Sequence, residues 1–319
     1  MKTIDKLFLI LAAVLIAAGV AVGLTFGWDY APGAYSYTDM EYTADASAEC
    51  SFVSVQMDEL KVNVYATPDK TISLAVTGAK TADRVSVVQE NGVLRITEKK
   101  AGFLARLVAS DDASVVLRIP AKFLGTVDIA AQSSDIYIDS LANTETAVRA
   151  SSKSGNISTY DLHTGALELT TVSGGIYTNA YRGASVTAST TSGYVDLSDV
   201  KGTDVSLSSV SGRISLRNAA VTGTVTVSST SGDIELDDVA AELVTGETTS
   251  GDLEFDELDT NGLVFSATSG DISGDLLHLS EFAAEISTVS GDVSGIKNRS
   301  EGTRTLKLQT TSGDIDLDD

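Results

Sequence analysis

The chain has 319 residues and carries 44 Asp+Glu against 22 Lys+Arg, a formal net charge of −22. That length fits one large domain or two ordinary ones, and an apolar share of 43% is enough to bury a core. The charge argues against a nucleic-acid ligand, whose affinity comes largely from cationic phosphate contacts. The single cysteine, Cys50, excludes a disulfide framework within the chain and a cysteine-based zinc site. Two histidines, His163 and His278, leave little for acid–base or metal chemistry. With 27 glycines and 3 prolines, turns are made by glycine.

Residues 1–6 carry Lys2 and Lys6 against Asp5. Leu7–Trp28 then runs for 22 residues without a charge. As a helix rising ~1.5 Å per residue it would reach about 33 Å, enough for a bilayer core. Trp28 and Tyr30 stand where interfacial aromatics belong, and the leading lysines place the N-terminus inside and the remainder outside. The segment therefore reads as a single-pass membrane anchor, with 1–6 cytoplasmic. A cleaved signal peptide is the competing reading, but its apolar region normally runs about 7–15 residues and ends in a small-x-small site. Cys50 has no lipobox around it, and residues 29–47, rich in Tyr, Ala and Ser, read as a tether.

Residues 48–130 alternate in the manner of strands at Phe52–Gln56, Lys61–Ala66, Thr71–Thr77, Arg84–Gln89, Val93–Thr97 and Ser114–Ile119. Pro68-Asp69, Asn91-Gly92 and Pro120 punctuate them. The expected arrangement is an irregular first set of coils that caps a solenoid; a separate small β-domain is the alternative.

From 131 to 319 the chain repeats. Ser-Gly recurs at Ser154, Ser173, Ser192, Ser211, Ser231, Ser250, Ser269, Ser290 and Ser312, with spacings of 19, 19, 19, 20, 19, 19, 21 and 22. The residue three after each serine is always aliphatic, from Ile157 to Ile315. A fixed period near 20 marks a stacked architecture, and stretches such as Asp233-Ile234-Glu235-Leu236-Asp237 alternate with the period of a strand. The prediction is an all-β, parallel β-solenoid of 19–21-residue coils, each a flattened turn with two main strands. Coils stack at ~4.8 Å, because one coil alone cannot bury its aliphatic residues. Glycine is expected to provide positive φ at the corner. The hydroxyls at Thr171, Thr190, Ser209, Ser229, Thr248, Thr288 and Thr310 are expected to form a ladder that satisfies turn amides. An antiparallel sandwich of hairpins is the alternative, though it would not need the same turn residues in every copy.

The early strand pair Phe52–Gln56 and Lys61–Ala66, then Gly92-Val93-Leu94-Arg95-Ile96, Val116-Leu117-Arg118-Ile119-Pro120 and the Thr-x-Ser-Gly-Asp-Ile units succeed one another in a distinctive order. In this order, across about residues 50–319, the chain resembles a bacterial family of β-strand-repeat proteins, domain-of-unknown-function family 4097. Its members are often labelled adhesins by inference and are often encoded near membrane-stress regulators. The resemblance implies a β-solenoid at the cell envelope. It supplies no catalytic residues.

Asp233, Asp252, Asp271, Asp292 and Asp314 come directly after Ser-Gly in the last five copies, where Asn156, Gly175, Tyr194 and Arg213 stand in earlier ones. Stacked coils would align these carboxylates about 5 Å apart. They are the candidate calcium ligands, since calcium takes six to eight oxygens. The alternative is that each accepts turn amide hydrogen bonds. Glu257–Thr268 is a weak match to an EF-hand loop, lacking its first Asp and final Glu, and Ser294-x-x-Lys297 lacks the helix and Lys-Thr-Gly strand that penicillin-binding chemistry needs.

These features predict a non-enzymatic, membrane-anchored extracytoplasmic module that binds an envelope polymer or protein, with no cofactor, and is linked to envelope stress. Two alternatives remain open. One is an electrostatic binder of cationic peptides or divalent cations, since residues 231–319 hold 21 Asp+Glu and 4 Lys+Arg. The other is a carbohydrate-active β-helix enzyme, which would need its carboxylates clustered in a groove. The chain ends at Ile315-Asp316-Leu317-Asp318-Asp319 within a copy. The last coil is therefore expected to be uncapped, with its charges protecting the edge.

Overall fold

The computed structural model describes residues 40–44, 50–77, 84–99 and 113–318. The expected cytoplasmic start and the Leu7–Trp28 anchor lie outside the described residues, as does the tether apart from Met40–Ala44. Among the described residues no helix is long and apolar enough to cross a membrane.

Alternating apolar residues produce strands throughout. The first group is β1 (Met40–Ala44), β2 (Phe52–Met57), β3 (Lys61–Thr67), β4 (Ile72–Thr77), β5 (Val85–Glu90), β6 (Val93–Glu98) and β7 (Ser114–Pro120). Next come β8 (Thr126–Ala131), β9 (Ile136–Asp139), β10 (Ala142–Ser152), β11 (Ile157–Thr171), β12 (Ile176–Thr190), β13 (Val195–Gly202), β14 (Asp204–Ser209), β15 (Ile214–Val221) and β16 (Thr224–Ser229). The last are β17 (Ile234–Thr248), β18 (Leu253–Ala267), β19 (Ile272–Leu276), β20 (Phe282–Ser290), β21 (Val293–Ser294), β22 (Arg304–Ser312) and β23 (Ile315–Asp318). From β8 onward every pairing between these strands is parallel, coil on coil, which makes the protein an all-β parallel β-solenoid of about ten turns.

Each regular coil has three sides, one more than the flattened coil expected. Between β11 and β12 the register runs 157–160 on 176–179, 162–164 on 181–183 and 166–171 on 185–190. The chain bends at two places between these runs. One bend is a residue in the left-handed conformation: Asp161, Ala180, Asp199, Asn218, Asp238 and Glu257 have φ between 45° and 58°. Asp and Asn tolerate this region better than most residues do. The third corner is Ser-Gly. Inward residues from all three sides meet in one core. Ile214 and Leu216, Ala219, and Val225 and Val227 are at most 3% exposed. Where Phe255 and Phe265 meet edge-on at 5.4 Å, Gly246 on the adjacent coil leaves the space that Phe265 fills.

The Ser-Gly glycines are required for a reason other than the expected positive φ, which none of them has. A Cβ on Gly212 would lie 1.7 Å from the carbonyl oxygen of Gly193, and one on Gly193 would lie 1.8 Å from that of Gly174. Coils approach too closely at this corner for any side chain. The hydroxyl ladder forms as expected: Gly212 N–H donates to Ser209 Oγ at 2.8 Å and Gly174 N–H to Thr171 Oγ1 at 3.1 Å. The same hydroxyls tie coils together, as Thr190 Oγ1 donates to Gly174 O at 3.2 Å.

The two ends are built out of chain order. At the start, β2 pairs with both β6 and β8, and β3 with both β7 and β9. The coil formed by β2 and β3 thus lies inside the one that succeeds it in sequence. Antiparallel β5 flanks β6, antiparallel β4 flanks β7 and β1 in turn pairs antiparallel with β4, so the ladder does not end in a bare parallel edge. At the other end β22 sits between β18 and β20, and β23 between β19 and β21. The last coil of the sequence is therefore internal, and the expectation of an uncapped C-terminal coil is corrected. The outer coil is β20–β21, and its edge is closed by a bridge between Ala284 and Arg299 and by Asn298 Nδ2 donating to Ile286 O at 3.1 Å.

Tyr181 fills the core with a polar end. Its hydroxyl lies 2.9 Å from Ser185 O, and burial pushes its pKa up to about 12. An unfolded phenol ionises near ~10, so this group's contribution is complete below that pH and falls as pH rises toward the folded value. Ultraviolet titration of the folded protein is expected to show the Tyr181 phenol ionising later than the exposed tyrosines, and Tyr181→Phe to remove that late phase. Gly212→Ala is expected to lower stability in chemical denaturation by about 3 kcal/mol or more. Gly202→Ala, whose Cβ would find its nearest atom at 3.3 Å, should cost much less.

Candidate functional site

The Ser-Gly corner leads into the side formed by 157–160, 176–179, 195–198, 214–217, 234–237 and 253–256. With the residue three after serine turned inward, those at two, four and six after it face out. Parallel register stacks them into three columns along the axis. The corner column holds Asp135, Asn156, Gly175, Tyr194, Arg213, Asp233, Asp252 and Asp271, then Asp314 and lastly Asp292.

The structure brings all five candidate calcium ligands into this column, out of sequence order at the end. Each carboxylate that has a further coil beyond it accepts that coil's backbone N–H. Asp252 N–H donates to Asp233 Oδ1 at 3.2 Å, Asp271 N–H to Asp252 Oδ1 at 2.9 Å, Asp314 N–H to Asp271 Oδ1 at 2.8 Å and Asp292 N–H to Asp314 Oδ1 at 2.7 Å. Asn156 does the same with its amide oxygen for Gly175 N–H at 2.8 Å. Where Asp or Asn stands at this position, its short side chain supplies an acceptor oxygen, charged or not, to the next coil. Among the described residues no group of three or more His, Cys, Asp or Glu is placed to hold a metal ion.

The other sequence candidates are dispersed. Ser294 Oγ hydrogen-bonds Asp316 Oδ1, and Lys297 lies beyond the end of its strand. Glu257 occupies a left-handed corner of β18. His163 sits 3.6 Å from Asp161, while His278 precedes the 3-10 turn at Leu279–Glu281, many coils away.

The same side carries a feature that the Ser-Gly period does not announce. Five successive coils each supply one outward tyrosine: Tyr65, Tyr137, Tyr160, Tyr177 and Tyr194. Tyr137 is 5.8 Å from Tyr65 and 5.4 Å from Tyr160, ring centre to ring centre. Tyr177 lies over Gly175, where a Cβ would meet its ring at 2.7 Å. Tyr160, Tyr177 and Tyr194 are 41%, 39% and 61% exposed. Burial, and then neighbouring Asp139, raise the Tyr137 phenol above its ordinary range. Beside the first rings lies an open groove of about 340 Å³ lined by Lys61, Asn63, Tyr65, Tyr137, Asn156 and Ser158. The signal was present in the sequence: Tyr160, Tyr177 and Tyr194 stand six, four and two residues after the serine, all outward positions, and Tyr137 shares the Tyr177 column through Ser158.

After the tyrosines the side changes character. Arg217 pairs with Asp196 at 2.7 Å, and Arg213 reaches Glu235 at 3.5 Å and Asp233 at 3.8 Å. Beyond the arginines the columns are acidic, with Glu235 aligned on Glu254 and Asp237 on Asp256. Much of the acid of the C-terminal third therefore runs along one flank of the solenoid. Asp252→Asn is expected to change stability by less than about 0.5 kcal/mol, and Asp252→Ala to cost about 1 kcal/mol or more through the N–H left without its partner. Denaturant titration distinguishes the two.

The profile of the Toastrack DUF4097 family matches residues 50–239 and 204–319. No curated protein matches the chain. Among solved structures, a "putative adhesin" from Parabacteroides merdae is 14% identical, with 89% of this chain and 96% of that chain covered and a TM-score of 0.45. A second, from Parabacteroides distasonis, is 15% identical, covering 90% and 98% with a TM-score of 0.44. A third, from Bacteroides fragilis, is 11% identical, covering 88% and 97% with a TM-score of 0.40. The repeat, its order and the profile match together assign the chain to the Toastrack DUF4097 family.

Proposed function

We propose that the protein is a non-enzymatic, adhesin-like interaction module, held outside the bacterial membrane by the Leu7–Trp28 segment and binding an envelope polymer or protein. The observation that supports this reading most is the long side of the coil. There Ser151, Thr170, Ser189, Ser208 and Ser228 form one outward column, and Thr187, Ser206, Thr226 and Thr245 form another. Rigid, regularly spaced ladders of this kind suit repetitive ligands, since the surface is already ordered before binding. The corner carboxylates are engaged in backbone hydrogen bonds, which favours a structural role for them over chemistry.

A second reading draws on the acidic columns that contain Glu235, Glu254, Asp237 and Asp256. Their field would attract cationic peptides or divalent ions, with an attraction that falls steeply with salt. Proteoliposomes bearing the full chain are expected to co-sediment with isolated cell-wall sacculi at both low and high salt, while empty liposomes do not. Loss of sedimentation at high salt would favour the cationic-ligand reading. In cells, a membrane-impermeant maleimide should label an Asp256→Cys variant from outside, and failure to label it would contradict the external orientation.

A further inference from the structure

We infer that the tyrosine track formed by Tyr65, Tyr137, Tyr160, Tyr177 and Tyr194 is a binding site for an uncharged pyranose polymer lying along the solenoid axis. This deepens the interaction-module reading and rests on it. Tyrosine offers a broad, rigid, amphipathic surface at low entropic cost, and the apolar CH faces of a sugar ring match it. The rings alternate between neighbouring columns, yet Tyr65, Tyr137 and Tyr160 follow one another at 5.8 and 5.4 Å between ring centres, close to the length of a pyranose unit, so one ring per coil keeps step with a linear chain.

Polar groups for sugar hydroxyls flank the rings. Asn156 commits its Oδ1 to Gly175 N–H, which leaves its Nδ2 hydrogens to donate. Asn179 commits Nδ2 to Ser198 Oγ at 2.9 Å, which leaves its Oδ1 to accept. Asn63 and Ser158 line the groove beside Tyr65 and Tyr137. Such a surface of aromatic faces with a few placed polar groups is typical of a small-molecule or oligomer site.

Charge selects against ionic polymers. The carboxylates within the track are engaged: Asp135 Oδ1 accepts Asn156 N–H at 2.8 Å, Asp139 accepts hydrogen bonds from Tyr137 and Ser140, and Asp196 pairs with Arg217. Lys61 and Arg118 stand at one end of the track and Arg213 and Arg217 at the other, disfavouring a cationic chain. The acidic columns beyond the arginines disfavour an anionic one. Gly175 fits the same purpose. It interrupts the acceptor column at the place where a side chain would displace the Tyr177 ring.

The test uses the full chain in proteoliposomes with cellohexaose and a β-1,4-linked N-acetylglucosamine hexasaccharide as probes, read by tyrosine fluorescence and saturation-transfer NMR. At least one probe should bind. The Tyr160→Ala/Tyr177→Ala double variant should weaken binding by about tenfold or more. Tyr160→Phe/Tyr177→Phe should retain most of it, and Lys201→Ala, on the short side of the coil, should leave it unchanged. Circular dichroism melts within a few degrees of the parent show that the variants are folded. If sacculi co-sediment but neither hexasaccharide binds, or binding ignores the tyrosines, the track proposal is overturned and the module reading stands. If neither sacculi nor hexasaccharides bind, both fail.

Discussion

The solenoid depends on a contact with no side chain in it. At the Ser-Gly corners from Gly174 onward the glycine lies against the carbonyl of the corner glycine in the adjacent coil, so closely that a Cβ on Gly232 would come within 2.0 Å of Gly212 O and one on Gly251 within 2.3 Å of Gly232 O. No other residue allows this approach. The hydroxyl two residues before each serine in most copies then receives the glycine N–H, and in several coils it donates across to the next glycine carbonyl. Polar groups that would be left unpaired at a tight corner are therefore satisfied, and at a fixed spacing and register. The three sides inherit that register. Inward aliphatic residues stack into a continuous core, and every outward position becomes a column.

Much of this was legible in the sequence, because it is local and periodic. The Ser-Gly interval marks the coil, the aliphatic residue three after serine marks the inward face, and the hydroxyls mark the ladder. The reason for the glycine was not legible, since turn chemistry suggests positive φ whereas the actual constraint is a clash between residues 19 or more apart. The left-handed residues are partly visible in hindsight as Asp161, Asp199, Asn218 and Asp238, seven after serine, though Ala180 and Glu257 blur the pattern. The order of the terminal coils was not readable. Copies with similar strands compete for the same neighbours, and no local rule says that β22 will enter between β18 and β20. The lengthened intervals before Ser290 and Ser312 were the only trace of it, and they accommodate the 3-10 turn and the edge-closing segment around Arg299.

The out-of-order ends also change what the charge means. The acidic Ile315–Asp318 strand is internal, and the outermost coil is closed by backbone bridging and Asn298. Negative charge runs along the flank, where arginines at 213 and 217 separate it from the tyrosines. One side of the solenoid is thus divided along its axis into an aromatic, hydrogen-bonding stretch, a cationic step and an acidic stretch. Stacking amplifies such divisions: a residue type repeated at one position in a few copies becomes a surface.

The central claim is that one register runs through the whole stack, including the inserted last coil. Double electron–electron resonance on a Cys50→Ser background tests it directly. Spin labels would be placed at Ser151 and Gln309 and, in a second sample, at Ser151 and Ser287, all positions of a single outward column. The account predicts that Gln309 lies nearer to Ser151 than Ser287 does, by about one strand spacing of ~4.8 Å. A longer distance to Gln309 than to Ser287 would mean that the coils keep chain order, and would contradict it.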